Sequence, residues 1–383
     1  MNPRIFYVLL GLSILFVAGF TVSVILLVYK NKPLPPLPPL PKTGGVRVAY
    51  YTPYQDPYCS PQTSCPPSGT PCATTILSDP KVLNSKLDIV ILNPIAPSTV
   101  HGLTVAFPVS TLLNKGTSLP SGLYACPPAL AKGIADLHRA GKRILLSVLP
   151  GTGSDQWGTS AAFWSLFAQA SQKLLTEWDI DGFDWDCETS QCPPQAFDPS
   201  GMGTWSTQAT SLCVKVFQVW KGLKVNPGRG NGGQPITTLT GEIEWQLKSL
   251  PSFKPFMSDV DFLCTMNNDY TLVSASDLAN VIKDAEAKGW TRDKLVLGVA
   301  PSECSGGAQN PDTFQRAIAG LAAMGYNNMG WALWNLCKDA GCYHGRQGGK
   351  TCGPCATGSC PIGDGTLTQA STSFAFLSIM DQL

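Results

Sequence analysis

The sequence has little charge and very little histidine. Of its 383 residues, 27 are Lys or Arg, 26 are Asp or Glu and 3 are His, which leaves a formal net charge of +1. Charged residues make up 14% of the chain, where about 25% is usual. Proteins that bind nucleic acid carry a basic excess. The balance of charge therefore argues against a nucleic-acid partner.

Several motifs are also missing. No Gly-x-Gly-x-x-Gly follows the first predicted strand, and no Asn-x-Ser/Thr glycosylation acceptor with a permitted middle residue occurs. His101, His138 and His344 fit no catalytic triad. A zinc site at Cys352, Cys355 and His344 is the lesser alternative, because no second matched Cys-x-x-Cys exists. We expect neither a metal nor a cofactor.

The amino terminus contains a long apolar run. Residues 5–29 form 25 consecutive positions without a charge, enough helix to cross a hydrocarbon layer about 30 Å thick. A cleaved signal peptide is the alternative, although its apolar region is normally only about 7–15 residues long. We expect residues 1–32 to be an uncleaved transmembrane anchor.

A proline-rich segment follows the apolar run. Six prolines lie between residues 33 and 41, which favours an extended polyproline II spacer. We expect residues 33–45 to be a stiff linker, with a ligand for an aromatic-groove domain as the alternative.

Cysteine indicates the compartment. All 14 cysteines lie between Cys59 and Cys360, and an even, dense set of this kind is typical of disulfides formed in an oxidising environment. The large domain is therefore predicted to be exoplasmic, lumenal or on a particle surface.

Short β-branched runs then alternate with amphipathic helical stretches, the order expected of parallel strands joined by crossover helices. The pattern predicts a (β/α)8 TIM barrel over residues 46–383, with a doubly wound open sheet as the runner-up. The eight predicted strands are 46–51, 87–93, 143–148, 182–188, 236–242, 260–266, 295–299 and 328–333. The clearest predicted helices are 128–140, 161–178, 208–223, 275–288, 311–324 and 369–381.

The fourth predicted strand is unusually acidic. Residues 181–188 read DGFDWDCE. Because side chains alternate along a strand, Asp184, Asp186 and Glu188 share one face, and Phe183 and Trp185 share the other. Three acids on a buried face cannot all be ionised cheaply, so at least one retains a proton and can serve as a catalytic acid. A solvated strand face and a metal site are the alternatives.

This octet resembles the Asp-Gly-x-Asp-x-Asp-x-Glu signature of family 18 glycoside hydrolases, the chitinases and their lectin-like relatives. Segments 48–51, 142–147, 295–301 and 329–331 resemble the family's first, third, seventh and eighth strands. Only 26 residues separate Gly298 from Gly325, so the α+β insertion of some members is absent. The resemblance covers residues 46–383 and implies retaining, substrate-assisted hydrolysis of chitin or a related N-acetylglucosamine polymer.

The resemblance also implies roles for individual residues. Glu188 would be the general acid and then the base, Asp186 would orient the substrate's acetamido group, and Asp184 would share a proton with Asp186. Trp331 would form the apolar floor beneath the sugar, and Tyr51 would line the same groove.

The sixth strand departs from the family pattern. Members carry a Tyr there that binds the acetamido carbonyl, whereas this chain has Met266, Asn267 and Asn268 in that region. We expect these three residues to contact substrate. The departure leaves open a chitin-binding, lectin-like surface protein with little or no turnover. A structural surface protein that reuses the barrel is the third possibility.

Overall fold

A computed structural model describes the chain in segments. The described residues are 37, 39–40, 45–52, 75–95, 98–100, 104–106, 127–148, 161–186, 207–241, 254–265, 274–299, 311–334, 336, 339, 345–347, 350–352 and 374–383. Within this part of the chain, no helix combines the length and apolar character needed to span a membrane. The predicted span, 5–29, lies outside the described residues.

Eight parallel strands close into a barrel. They are β1 (Arg47–Tyr51), β2 (Ile89–Ile95), β5 (Arg143–Val148), β6 (Gly182–Asp186), β7 (Ile236–Gly241), β8 (Phe262–Thr265), β9 (Leu295–Val299) and β10 (Gly330–Leu333). Each strand pairs with the next barrel strand along the chain, and β10 returns to pair with β1. The barrel is therefore confirmed, and the open doubly wound sheet is wrong.

Two short hairpins lie outside the barrel and were not predicted. One joins β3 (Ser98–Val100) to β4 (Thr104–Ala106), and the other joins β11 (Gly345–Gln347) to β12 (Lys350–Cys352). The second hairpin belongs to the cysteine-rich region after the last barrel strand.

The described helices follow the predicted order. They are α1 (Pro80–Leu83), α2 (Pro127–Arg139), α3 (Ala161–Glu177), α4 (Thr207–Lys221), α5 (Lys254–Met257), α6 (Ala275–Ala287), α7 (Pro311–Ala323) and α8 (Ala375–Met380). After α2, α6 and α7, Gly141, Gly289 and Gly325 have positive φ angles of 81°, 96° and 86°, the conformation that ends helices. At its start, α6 is capped by the side chain of Ser274.

The barrel has two apolar cores. The inner core fills the barrel with residues such as Val48, Ile91 and Val296. The outer core lies between the strands and the helices, where the Trp220 ring of α4 stacks on Phe183 of β6 at 4.8 Å. Each strand therefore contributes alternate side chains to the two cores, which fixes the side on which every functional residue lies.

The end of the proline-rich segment packs on the barrel. The Leu37 amide donates a hydrogen bond to the Gly228 carbonyl at 3.2 Å, in the loop that precedes β7. Leu40 is 6% exposed and belongs to the inner core. From Leu37 onward, described residues of this segment are part of the barrel's amino end, where a stiff linker was expected.

The two residues that flank the long segment 340–373, Asp339 and Phe374, contact each other. The Phe374 amide donates to the Asp339 carbonyl at 2.9 Å, and the Asp339 carboxylate accepts from the amides of Phe376 and Leu377 at 2.9 and 2.8 Å. Asp339 thereby ties the end of the barrel to the start of α8.

Two cysteines with described side chains, Cys213 on α4 and Cys264 on β8, are buried free thiols. The expectation that cysteine serves disulfides is therefore wrong for these two. The remaining cysteine side chains lie outside the described part, and their pairing stays a prediction.

Candidate active site

Strand β6 carries two acids into the barrel. Asp184 is 0% and Asp186 1% exposed. The side chains between them, Phe183 and Trp185, belong to the outer core against Trp220. The predicted division of this strand into an acidic inner face and an aromatic outer face is confirmed for these residues. Glu188, two residues beyond Asp186, lies outside the described residues.

Threonine hydroxyls hold Asp184. Thr238 and Thr240 of the neighbouring strand β7 both donate to Oδ1 of Asp184, at 2.5 and 2.7 Å. The register places Thr238 directly beside Asp184, so the two hydroxyls bracket one carboxylate oxygen. Burial raises the pKa of Asp184 to about 6, although the hydrogen bonds from Thr238 and Thr240 oppose that rise.

A tyrosine extends this network towards β1. The hydroxyl of Tyr50 lies 2.6 Å from Oγ1 of Thr240. Burial raises the pKa of Tyr50 well above its usual value, and the nearby Asp184 carboxylate raises it further. Tyr50 is therefore a neutral hydroxyl group inside the barrel.

Trp334 adds a further aromatic ring at the barrel interior. It follows β10 directly, is half-buried and packs against the inner core, with its ring 4.9 Å from that of Tyr50 at an angle of 51°. A half-buried indole beside Tyr50 offers an apolar face with access from outside.

Trp331 and Tyr51 do not line the barrel interior, and their predicted roles are wrong. Trp331 is 4% exposed in the outer core, where its ring meets Phe314 of α7 edge-on at 5.1 Å. Tyr51 also belongs to the outer core. The physical reason is strand parity: Ala332 and Tyr50 point inward, so their neighbours Trp331 and Tyr51 point outward.

Strand parity was available in the sequence and identifies the correct residues. Once Ala332 points inward, the next inward position is Trp334, and Tyr50 replaces Tyr51 by the same rule. Thr238 and Thr240 had no sequence signal of their own, because threonine is common in strands. Their position beside Asp184 depends on the register between β6 and β7.

The other predicted substrate contacts, Met266, Asn267 and Asn268, lie outside the described residues. Just before them, Cys264 lies in the inner core. Burial raises the pKa of its thiol, and the Asp184 carboxylate raises it further. Cys264 is therefore a neutral thiol and adds no charge to the site.

Asp181, the first acid of the octet, serves the fold. Its Oδ2 accepts from the Ile144 amide at 2.8 Å and lies 2.8 Å from Nε2 of His138, while Oδ1 accepts from the Gly230 amide at 2.8 Å. These partners come from β5, α2 and the loop before β7. Asp181 therefore joins three elements at the amino end of the barrel, away from the acids on β6.

Among the described residues, no group of three or more His, Cys, Asp or Glu is arranged to hold a metal ion. The chemistry open to the inner acids is proton transfer: a buried carboxyl group with a pKa near 6 holds or releases a proton close to neutral pH.

Comparison with known proteins gives matches at the level of structure. No known protein-family profile matches the chain, and no curated protein has significant sequence similarity to it. A family 18 chitinase from Pseudoalteromonas aurantia has a TM-score of 0.49 and 13% identity over 77% of this chain and 95% of its own. A group IV chitinase from Ostrinia furnacalis has a TM-score of 0.49 and 14% identity over 77% and 93%.

A third similar structure is an endo-β-N-acetylglucosaminidase from Cordyceps militaris, with a TM-score of 0.48 and 17% identity over 88% of this chain and 90% of its own. The solved structures similar to this chain thus include members of the family that the octet resembles.

Proposed function

We propose that the barrel hydrolyses β-1,4-linked N-acetylglucosamine polymers with retention of configuration. The observation that carries this proposal is the pair of buried, inward-facing acids on β6, Asp184 and Asp186. The pKa of Asp184 is raised to about 6. The sequence places a third acid, Glu188, at the next position of the same parity.

In the proposed mechanism, Glu188 protonates the oxygen of the leaving sugar. Asp186 orients the substrate's acetamido group, whose oxygen attacks the anomeric carbon and forms a cyclic oxazolinium intermediate. Glu188 then acts as the base for the water molecule that opens this ring, so no second carboxylate of the protein acts as a nucleophile. These roles come from the resemblance of the octet.

Asp184 supports this chemistry by holding a proton. Two neighbouring carboxyl groups in a buried site cannot both be ionised cheaply, so they share one proton. The raised pKa of Asp184 favours this residue as the holder of the shared proton, which it can pass to Asp186 during a reaction cycle.

Trp334 takes the role that the sequence assigned to Trp331. Its half-buried ring beside Tyr50 can place its face against the C–H groups of a sugar. The contact would position the sugar ring over the acids.

A chitin-binding protein without turnover is the second candidate function. The region 264–268 carries no tyrosine at the positions matched to the family's acetamido-binding residue. Loss of one hydrogen-bond donor to the transition state costs about 3 kcal/mol, enough to reduce turnover greatly while binding persists.

Release of a fluorophore from an N-acetylglucosamine oligomer tests the proposal. We expect the purified full-length chain to release the fluorophore and Glu188→Gln to lose at least about 99% of the rate. Glu177→Gln is a matched control, because Glu177 is an exposed residue at the end of α3 and 58% of its side chain is accessible. Binding to chitin without release of the fluorophore would favour the second candidate. The absence of both binding and release would contradict both candidates.

We propose further that residues 5–29 anchor the protein in a membrane, with the barrel on the exoplasmic or lumenal side or on a particle surface. The 25 uncharged residues and the location of all 14 cysteines after them support this topology. Within the predicted linker of residues 33–45, only the part before Leu37 would then act as a spacer between the membrane and the barrel. Labelling of intact cells or vesicles with an impermeant reagent at an epitope placed after Leu383 tests the orientation. Labelling only after permeabilisation with a mild detergent would contradict it.

A further inference from the structure

The two threonines on β7 make an asymmetric contact with Asp184. Both hydroxyls donate to Oδ1, at 2.5 Å from Thr238 and 2.7 Å from Thr240. A carboxylate oxygen has two lone pairs, so these donors satisfy Oδ1 completely. Oδ2 is also buried and makes no well-formed hydrogen bond to a described residue.

The direction of the hydrogen-bond chain follows from counting protons. A threonine hydroxyl has one proton, and that of Thr240 is used on Asp184. Tyr50, 2.6 Å from Thr240, is therefore the donor to Thr240. The hydrogen bonds therefore run from Tyr50 to Thr240 and from Thr240 to Asp184, where the Thr240 hydroxyl donates to Oδ1.

We infer that Thr238 and Thr240 are positioning residues that confine the acidic proton of Asp184 to Oδ2, the oxygen free to exchange it with Asp186. The inference rests on the proposed function in taking these two acids as the reacting pair. Neither threonine touches the substrate in this account. Their effect is exerted through Asp184.

Among the described residues, few ionisable groups face Asp184 from the packed strands. They are Tyr50 on β1, Cys264 on β8 and Asp186 on β6 itself. Tyr50 and Cys264 have pKa values raised by burial and remain neutral. Arg143 of β5 has Asp181 and Asp88 as its charged neighbours. Among the described groups, Asp186 is therefore the exchange partner left for the Asp184 proton.

The hydroxyl of Ser147 also lies near Asp184. Ser147 is in register with it on β5 and lowers its pKa slightly, without a well-formed hydrogen bond. The strong, directed contacts are the two from β7, and these are the ones that a substitution can remove separately.

The test removes each hydroxyl without changing the shape of the side chain. In the full-length protein, Thr238→Val and Thr240→Val are compared with Thr238→Ser and Thr240→Ser, which keep the donor. The protonation of Asp184 is followed by pH titration of its carboxyl infrared band, identified by its loss in Asp184→Asn. We expect each Val variant to raise the pKa of Asp184 by about one unit and each Ser variant to restore it.

A buried threonine elsewhere on the barrel provides the control. Thr265 is 3% exposed and its Oγ1 accepts from the Gly298 amide at 2.9 Å. Thr265→Val should lower the melting temperature and leave the Asp184 titration unchanged. If a Val variant does not fold, the corresponding Ala variant removes the same donor. That Ala variant must then show the same rise in the pKa of Asp184.

The outcomes separate this inference from the proposed function. An unchanged titration in the Val variants, or equal shifts in the Val and Ser variants, overturns the inference. If the protein cleaves substrate, the pH profile of kcat must move with the titration, and a profile that stays fixed also overturns it. If the wild-type protein cleaves nothing, the proposed function fails while the infrared titration still decides the roles of Thr238 and Thr240.

Discussion

Aspartates of this barrel differ in function because their surroundings differ. Asp181 is surrounded by an imidazole and two backbone amides and fixes the amino end of the barrel. Asp339 accepts two amides of α8 and ties down the chain end. Asp184 receives two threonine hydroxyls on one oxygen, with its other oxygen free for proton exchange. The partners of each carboxylate, more than its residue type, decide its role.

The raised pKa of Asp184 predicts a pH dependence of stability. Its pKa is about 6 in the folded protein against an ordinary value of 3.8, so ionisation costs more in the folded than in the unfolded state. Its contribution to stability is thus full below pH 3.8 and is lost as the pH rises through about 6. Asp184→Asn should reduce this loss by up to about 3 kcal/mol.

Thermal melts of the wild-type protein and Asp184→Asn between pH 3 and pH 8 measure this difference. Asp339, whose pKa burial also raises to about 6, is present in both proteins and leaves part of the pH dependence unchanged. Parallel curves for the two proteins would show that Asp184 ionises as easily in the fold as outside it.

Two tryptophans, one on β10 and one directly after it, should separate function from stability. Trp331→Ala removes a ring packed on Phe314 in the outer core, and we expect it to cost about 3–5 kcal/mol of unfolding free energy. Trp334→Ala removes a half-buried ring and should lower the affinity for N-acetylglucosamine oligomers about tenfold or more, with a smaller loss of stability. Denaturation curves and oligomer titrations of both variants check this. A larger loss of affinity in folded Trp331→Ala would contradict the assignment.

For single residues, the sequence predicted correctly the positions that were derived from the alternation of side chains along a strand. The inward direction of Asp184 and Asp186 followed from the alternation along β6. The resemblance predicted Trp331 beneath the sugar, whereas strand parity places Ala332 inside the barrel and Trp331 outside it. The contacts of Thr238 and Thr240 arise between strands far apart in the chain, and no local pattern encodes them.

Among the elements, β6 and β7 approach each other closely at Gly182. A Cβ at this position would lie 1.9 Å from the carbonyl oxygen of Ile236 and 2.6 Å from its nitrogen. Both atoms are backbone and cannot move without opening the ladder between the strands. The glycine of the octet is therefore explained by packing at the start of β6, the strand that carries the acids.

Gly182→Ala should destabilise the barrel strongly, by at least about 3 kcal/mol, because overpacking against backbone has no cheap relaxation. Gly222→Ala is the control, since a Cβ there has no neighbour closer than 3.4 Å. Chemical denaturation of the two variants gives the comparison. Equal stabilities would contradict the close approach of β6 and β7.

The sequence predicted the barrel strands well and the irregular segments poorly. Strands 143–148 and 295–299 were predicted with their observed ends, because buried parallel strands are continuous apolar runs bounded by polar turns. The hairpins β3–β4 and β11–β12 were missed, since strands of three residues have no periodicity to detect. Ser274 caps α6, because its hydroxyl oxygen accepts a hydrogen bond from the Asp277 amide at 3.1 Å.

In the whole molecule, the amino end of the barrel is closed by residues that precede the first strand. Leu40 lies in the inner core, beside residues such as Val46 and Ile236. The expected linker was read from proline content alone, which predicts stiffness but not whether a leucine between prolines packs on a neighbouring surface. The folded unit that carries the site therefore begins before β1.

Leu40→Ala should cost about 2 kcal/mol or more of unfolding free energy, because it leaves a cavity in the inner core. Leu37→Ala is the matched control, since Leu37 is only half-buried and its contact with Gly228 is made by the backbone. A fragment of residues 42–383 should melt at a lower temperature than one of residues 33–383. Identical melting temperatures for the two fragments would show that Leu40 adds nothing to the barrel.

The stereochemistry of hydrolysis tests the central claim most directly, because the inner acids are proposed to act with the substrate's own acetamido group. Proton NMR during hydrolysis of an N-acetylglucosamine oligomer reports the anomer that is released first. We predict the β-anomer, with release abolished in Asp186→Asn. Initial release of the α-anomer, or no hydrolysis by the wild-type protein, would contradict the account.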